Sequence, residues 1–294
     1  MGNSIPVELA YDSKAQVGEG PSWDERRGVL HWVDIISGLV NTYHPSTSEN
    51  KSRRVGRFVS SVVPSKSGRV VMTLQHEVCA LDLESGKVKV LAVAEAGEEE
   101  NRFNDGKCDP AGRLWAGTMS LKGKKGNGAL YVLERGRKIR KVLGGVSTSN
   151  GLGWSPDGGT MYYIDTPTRK VSAFDCEINT WEIKNRRTVV DFGGQPGNPD
   201  GMAVDEEGKL WVAHWGGWRV TRWNPETGEN LSQVDLPVPL VSSCCFGGEK
   251  LDRLYITTAR TGLDAEQLSE VPNSGGLFVA QVGARGLPTY AFDE

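Results

Sequence analysis

Asp109-Pro-Ala-Gly-Arg-Leu-Trp115 returns as Asp205-Glu-Glu-Gly-Lys-Leu-Trp211, a polar turn ending in Gly and followed at once by an apolar, aromatic strand. Looser copies are Asp24-Glu-Arg-Arg-Gly-Val-Leu-His-Trp32, Ser65-Lys-Ser-Gly-Arg-Val-Val71, Ser155-Pro-Asp-Gly-Gly-Thr-Met-Tyr162 and Glu249-Lys-Leu-Asp-Arg-Leu-Tyr255, the last without its Gly. After each copy comes a second strand with two-residue alternation, such as Ala129-Leu-Tyr-Val-Leu133 or Arg219-Val-Thr-Arg-Trp223, and often a further turn such as Glu84-Ser-Gly-Lys87. The openers at 24, 65, 109, 155, 205 and 249 lie about 45 residues apart, and four short strands per repeat of that length, six times over, is the pattern of a propeller. The chain is therefore expected to be all-β, a six-bladed β-propeller with four antiparallel strands per blade. No repeat could bury its apolar faces alone, whereas a closed ring packs each sheet on two neighbours and limits exposed edges. Residues 1–294 then form one domain, with the strand around Val7 to Tyr11 completing the last blade.

Composition agrees. Thirty-seven Gly, 14 Pro and 9 Trp in 294 residues, with 24% charged, favour turns and strands over helical bundles. Thirty-four Lys and Arg against 37 Asp and Glu give a net charge of −3 without a sustained basic block, which argues against nucleic acid and anionic membranes as partners. Met1 to Ala10 lacks the basic start and apolar core of a signal peptide, and no apolar run approaches the ~18 residues that cross a bilayer; a cytoplasmic protein is expected. Cys79, Cys108, Cys176, Cys244 and Cys245 contain no CxxC pair and read as buried, reduced thiols. Trp215, Trp218 and Trp223 read as packing between blades rather than as an exposed patch, and the expected state is a monomer or weak homodimer.

The register of the repeat locates a candidate site. Innermost strands of a propeller start near its axis, so one repeat position faces one shared channel. Five residues before each opener stand Glu19, Ser60, Asn104, Asn150, Asp200 and Cys244, and the step Asp105-Gly106 can shift which residue faces the axis in the third repeat. Asn-Gly and Asp-Gly are ordinary turn dipeptides, and any one of them alone needs no ligand. Two carboxylates and two carboxamides converging on one axis would repel and cost desolvation unless a cation sat between them. The donors are all oxygens, which favours calcium, magnesium or manganese, with zinc less suited. His31, His44, His76 and His214 show no metal-ligand spacing, and no GxSxG elbow, HExxH helix, P-loop or dinucleotide fingerprint is present. An oxygen-ligated ion with open positions polarises an ester carbonyl and acidifies water. Asp200 at the ion could take the proton as general base, and Arg102 at the channel mouth offers a fork of donors for hydroxyls or a carboxylate.

At these residues the chain resembles a known family. Gly18-Glu19-Gly20-Pro21, Asn101-Arg102-Phe103-Asn104-Asp105-Gly106-Lys107, Ala116-Gly-Thr-Met119, Ser149-Asn150-Gly151, Pro199-Asp200-Gly201 and Ser242-Ser-Cys-Cys-Phe-Gly-Gly248 look like the senescence marker protein, regucalcin and gluconolactonase family, in order from about Val17 to Ala280. The resemblance implies a six-bladed propeller and a metal-dependent lactonase acting on sugar lactones such as gluconolactone. It places metal ligands at Glu19, Asn150 and Asp200, the general base at Asp200, and substrate contacts at Arg102 and Asn104, with Asn104 also near the metal. One departure bears on the substrate: animal regucalcin-like members carry a sugar-contacting Glu three residues after the Ala-Gly-Thr-Met phrase, where this chain has Lys122. The loop from Ser120 to Gly128, with Lys122, Lys124 and Lys125, is also shorter and more basic. The expectation is a lid that favours a lactone with electron-rich or acidic groups, or a looser specificity. A sugar lactone is thus the expected partner and one divalent ion, calcium foremost, the expected cofactor. The alternatives are a calcium-binding regulatory protein without catalysis, and another metal-dependent hydrolase acting on a phosphotriester or a nitrogen-containing ring.

Overall fold

In the computed structural model, which describes residues 5–294 except 57, 135, 137, 178 and 179, the chain forms six four-stranded antiparallel sheets in a ring. After β1 (Val7–Tyr11), blade one holds β2 (Gly18–Asp24), β3 (Val29–Asp34), β4 (Leu39–His44) and β5 (Glu49–Arg54). Blade two holds β6 (Ser61–Pro64), β7 (Val70–Thr73), β8 (Glu77–Leu81) and β9 (Val88–Val93). Blade three holds β10 (Asn101–Cys108), β11 (Leu114–Ser120), β12 (Gly128–Leu133) and β13 (Ile139–Val146). Blade four holds β14 (Ser149–Trp154), β15 (Thr160–Asp165), β16 (Lys170–Cys176) and β17 (Ile183–Asp191). Blade five holds β18 (Asn198–Val204), β19 (Leu210–Trp215), β20 (Arg219–Asn224) and β21 (Glu229–Asp235). Blade six is β22 (Val241–Gly247), β23 (Arg253–Thr258) and β24 (Leu277–Gln281), and β1 pairs antiparallel with β24 as its fourth strand. Its second and third strands are separated by an insertion that carries the short helix α1 (Ala265–Glu270), started by a capping box between Asp264 and Gln267.

The repeated phrase is a turn held by its own Asp. Asp109 Oδ1 accepts the backbone N–H groups of Ala111 and Arg113, while Oδ2 accepts the Trp115 indole at 2.7 Å and Arg113 Nε at 2.9 Å. Asp205 repeats this with Glu207, Lys209, the Trp211 indole at 2.9 Å and Arg222. In blade one the turn is a residue longer, and His31 takes the indole's place beside Asp24, its Nε2 at 3.7 Å from Oδ2. Each Trp thus has its one donor satisfied while its ring goes to the core.

That core is six apolar clusters, each between two neighbouring blades. Val33, Val40, Val62 and Met72 join blades one and two, and Trp115, Leu130, Trp154 and Met161 join three and four. All five cysteines are buried and unpaired. Of the three tryptophans expected to pack, Trp223 does: it is 4% exposed, stands edge-on to Phe192 and donates to Thr221. Trp218 does not. It sits in the β19–β20 turn with φ of 61° and is 44% exposed. After β24, residues 282–294 run as a strap across the face where the inner strands end, bridging Gly286 to Asp205 and Phe292 to Ser65.

His214 illustrates how a polar side chain is carried inside. Its Nδ1 lies 3.0 Å from the Pro196 carbonyl, which can only accept, so the proton is on Nδ1 and Nε2 accepts the Thr221 hydroxyl at 2.7 Å. Burial pushes the imidazole down to about 4. A folded-state value below the unfolded 6.5 makes the stability contribution complete above pH 6.5, and it is lost as pH falls toward 4. At pH 5 the loss is about 2 kcal/mol of roughly 3 in all. Urea unfolding at pH 7.5 and 5 should show this difference in the wild type and a correspondingly smaller one in His214→Leu; equal pH dependence in both would exclude His214 as a source.

Candidate active site in the central channel

Five of the six inner strands carry a register shift, and in four of them it falls on the residues singled out by the repeat: between Glu19 and Ser22 in β2, Phe103 and Gly106 in β10, Asn150 and Leu152 in β14, and Pro199 and Met202 in β18. A bulge adds an unpaired residue and re-aims the side chains beside it. The Asn-Gly and Asp-Gly steps are therefore not hairpin turns here but breaks inside strands. Their glycines answer to crowding: a Cβ on Gly151 would lie 2.8 Å from the Asp200 carbonyl, and one on Gly201 would lie 2.0 Å from Ser243 Oγ and 2.8 Å from its Cα. Gly201→Ala should cost about 2–3 kcal/mol in denaturant unfolding by forcing blades five and six apart beside Asp200, whereas Gly144→Ala, with nothing within 4 Å, stays within about 0.5 kcal/mol of wild type. Equal costs at the two positions would refute the crowding argument.

The bulges bring the polar groups together. Asn104 Nδ2 donates to Asn150 Oδ1 at 2.9 Å and to the Ser149 carbonyl at 2.8 Å. Asn150 Nδ2 donates to Thr166 Oγ1 at 2.8 Å, and that hydroxyl donates to the Pro199 carbonyl, next to Asp200. Arg102 Nη1 donates to Asn104 Oδ1 at 2.7 Å and to the Phe103 carbonyl. Blades three, four and five are thereby locked through one chain of hydrogen bonds that fixes the Asn150 carboxamide. Glu19 and Asp200 are each 6% exposed. Glu19 Oε2 accepts only the adjacent Gly20 N–H, and among the described residues no hydrogen bond reaches the Asp200 carboxylate.

Asp105 is the carboxylate the repeat count did not assign. It is buried beside Asn104 in the same bulge, with Oδ1 on Gly106 N. Its charge and Glu19's act on Asp200, so the site holds three carboxylates. Burial, then the Asp105 charge, pushes Glu19 up to about 8. Burial, then Glu19 and Asp105, raises Asp200 well above the usual carboxylate range. Burial pushes Arg102 down to about 10, which leaves a guanidinium charged at neutral pH. Lys107 supplies a second positive charge near Asp105. The doublet Asn104-Asp105 ahead of Gly106 was the available sign that this bulge presents two polar residues.

The remaining positions differ. Ser60 and Ser61 bond Thr73 within blade two. Cys244 is not a channel residue: it lies in the apolar cluster between blades five and six, with Sγ 3.5 Å from the Trp211 carbonyl. The bulge of β22 falls earlier, between Val241 and Ser243, so counting back five residues falls short of it there. Lys122 is on the exposed rim, where its ammonium pairs with Glu100. Glu95 holds Asn101, Thr118 and Tyr131 through its carboxylate just before β10.

The donor set suits a hard divalent ion. Buried carboxylates without a bonded cation are costly, and Glu19, Asp200 and the Asn150 carboxamide oxygen are oxygen donors of the type calcium, magnesium and manganese take. Among the described residues, no group of three or more His, Cys, Asp and Glu is arranged to hold an ion by itself, so an ion held here would need the carboxamide as well.

The family described as "SMP-30/Gluconolactonase/LRE-like region" matches residues 17–260. Regucalcin of Oryctolagus cuniculus is 41% identical over 296 aligned positions, covering 99% of both chains. A solved luciferin-regenerating enzyme superposes with a TM-score of 0.93 at 33% identity, over 99% of this chain and 100% of that one. A solved Agrobacterium tumefaciens regucalcin, described as a calcium-binding protein, gives 0.94 at 25% identity over 99% and 98%. With its six blades, its channel of bulged inner strands and these matches, the chain belongs to the SMP-30/gluconolactonase/LRE-like family.

Proposed function

We propose that the protein hydrolyses a sugar lactone, an aldonolactone such as gluconolactone, to the open sugar acid, with one divalent ion, calcium foremost, held by Glu19, Asn150 and Asp200. The observation that carries this reading is the convergence of these three buried oxygen donors with Arg102 and Asn104 in one acidic channel. When bound, the ion polarises the ester carbonyl and acidifies water. Asp200 accepts no hydrogen bond from a described residue, and in its ionised form its carboxylate can accept the water's proton. Asn104, fixed by Asn150 and Ser149, and the Arg102 guanidinium orient the ring hydroxyls and then the carboxylate that forms. The five buried, unpaired thiols suit a reducing compartment, in keeping with a cytoplasmic location.

Proton release over a panel of sugar lactones tests this, with the metal-stripped protein and individual ions added back. Ion-dependent hydrolysis is expected. Calcium binding without hydrolysis of any lactone would instead support a calcium-binding regulatory protein, the reading favoured by the description of the Agrobacterium relative. Lys122 sets the finer specificity in this proposal. Its loop is tied to the start of β10 by the side-chain pair Asn127–Asn101, and Lys122 itself pairs with Glu100 just before that strand. Lys122→Glu breaks the pair with Glu100 and should shift relative kcat/KM between acidic and neutral lactones by about tenfold, roughly 1.4 kcal/mol. An unchanged substrate ranking would remove Lys122 from the site.

A further inference from the structure

Below the carboxylates the channel changes character. A cavity of about 80 Å³ lies where the inner strands end, walled by apolar side chains such as Val63, Val204 and Phe246 and floored by Leu287 to Tyr290 of the C-terminal strap. All six blades contribute to its wall. At about 10–15 Å³ per water it has room for several waters, or for an organic molecule of roughly four to six heavy atoms.

Ser22, Thr289 and Tyr290 bring hydroxyls that donate or accept, and Cys108 and Cys245 bring thiols, while the cavity's two remaining polar side chains, Lys107 and Trp154, only donate. Lys107 brings an ammonium with three N–H donors; its charge interacts with that of Asp105 in the cluster above, but among the described residues only one hydrogen-bond acceptor meets it, the Met202 carbonyl at 2.6 Å. Trp154 also lines the cavity; it is 3% exposed, and its indole N–H has no partner. Among the described residues no Asp or Glu lines the cavity. Buried donors without acceptors are costly, and a charged donor is best met by an anionic acceptor. A largely apolar wall with one cation, one indole donor and adaptable hydroxyls matches a molecule with a carboxylate at one end and a short hydrocarbon at the other. We propose that this lower chamber is a second ligand site, separate from the carboxylate cluster above it, that binds a small aliphatic monocarboxylate through Lys107 and Trp154.

The strap supplies the way in. It is anchored on either side of the floor, by Gly286 N on the Leu251 carbonyl at 2.8 Å and by Phe292 N on the Pro64 carbonyl at 2.8 Å. Between these anchors Thr289 is held by the Glu25 side chain at 2.9 Å, and Leu287 N reaches the Val204 carbonyl only at 3.5 Å. Opening residues 287–290 therefore breaks few bonds.

Isothermal titration of the full chain with butyrate, and with butyramide as its neutral isostere, tests the proposal. One butyrate per chain is expected, with binding unaffected by Asp200→Asn, weakened at least tenfold by Lys107→Met and by Trp154→Phe, and at least tenfold tighter than butyramide. Leu287→Trp fills the chamber from its floor without touching either donor and should abolish binding, which keeps the test decisive if Lys107→Met fails to fold. No butyrate binding up to roughly 20 mM would mean that the cavity holds water only, and binding lost in Asp200→Asn but kept in Lys107→Met would place the acid in the upper channel; either result overturns the proposal.

Discussion

Asp200→Asn should lower kcat on the best lactone by about 10³-fold or more while the ring stays folded. The change swaps one oxygen for an NH₂ of nearly the same size, so shape and one oxygen donor are kept. What is lost is the proton acceptor, and a positioned general base contributes roughly 10²–10⁴-fold. The stability effect has the opposite sign to that of most buried substitutions. Asp200 accepts no hydrogen bond from a described residue, and its charge is opposed by burial, by Glu19 and by Asp105, so neutralising it relieves repulsion. In chelator, Asp200→Asn should melt no lower than wild type, whereas Asn150→Ala, which leaves the donor of Asn104 unmet, should lose about 1–3 kcal/mol. Near-normal kcat in a folded Asp200→Asn protein would end the proposed mechanism, and a large loss of stability in that variant would show the carboxylate to be held by contacts other than those described.

The residues that wrote the ring into the sequence are those that make the same local bond in blade after blade. Asp109 with Trp115 and Asp205 with Trp211 recur because the turn needs a cap and the indole an acceptor, so spacing alone revealed the blades, and the spare strand β1 followed from length. Residues that meet in the channel were legible where the bulge kept the repeat's register, as at Glu19, Asn150 and Asp200. They were not where the pattern departed from the count: Cys244 fell into the core because β22 breaks earlier, and Asp105 joined the channel because both residues that β10 leaves unpaired, Asn104 and Asp105, are polar. Features outside the period left no signal of this kind. The strap of residues 282–294 has no repeat partner, and its course is set by contacts with residues as distant as Pro64 and Leu251. Trp218 was misjudged because its strand neighbours pack while a two-glycine turn carries it outward.

Stripping divalent ions should reduce lactone hydrolysis to background and lower the melting temperature, and adding back calcium, manganese or magnesium should restore both. An ion at a hundredfold excess over its Kd stabilises the folded chain by about 2.7 kcal/mol, which for a chain of this size is a shift of roughly 5–10 °C. Protons report the same event. Without the ion, Glu19 is pushed up to about 8 by burial and by Asp105, so at pH 7 its carboxyl group is largely protonated, and binding a divalent ion must displace that proton. Asp200 is raised by burial and by the same neighbours, so calorimetric titration with calcium in two buffers of different ionisation enthalpy should show proton release from the two carboxyls together, which diminishes as the pH is raised. Asp200→Asn separates the two roles of the site: it should retain ion-dependent stabilisation through Glu19 and Asn150 at reduced affinity, with hydrolysis absent whatever ion is supplied. If activity survives exhaustive chelation, or if ions restore stability without restoring hydrolysis in the wild type, the carboxylate cluster binds metal for some purpose other than opening a lactone.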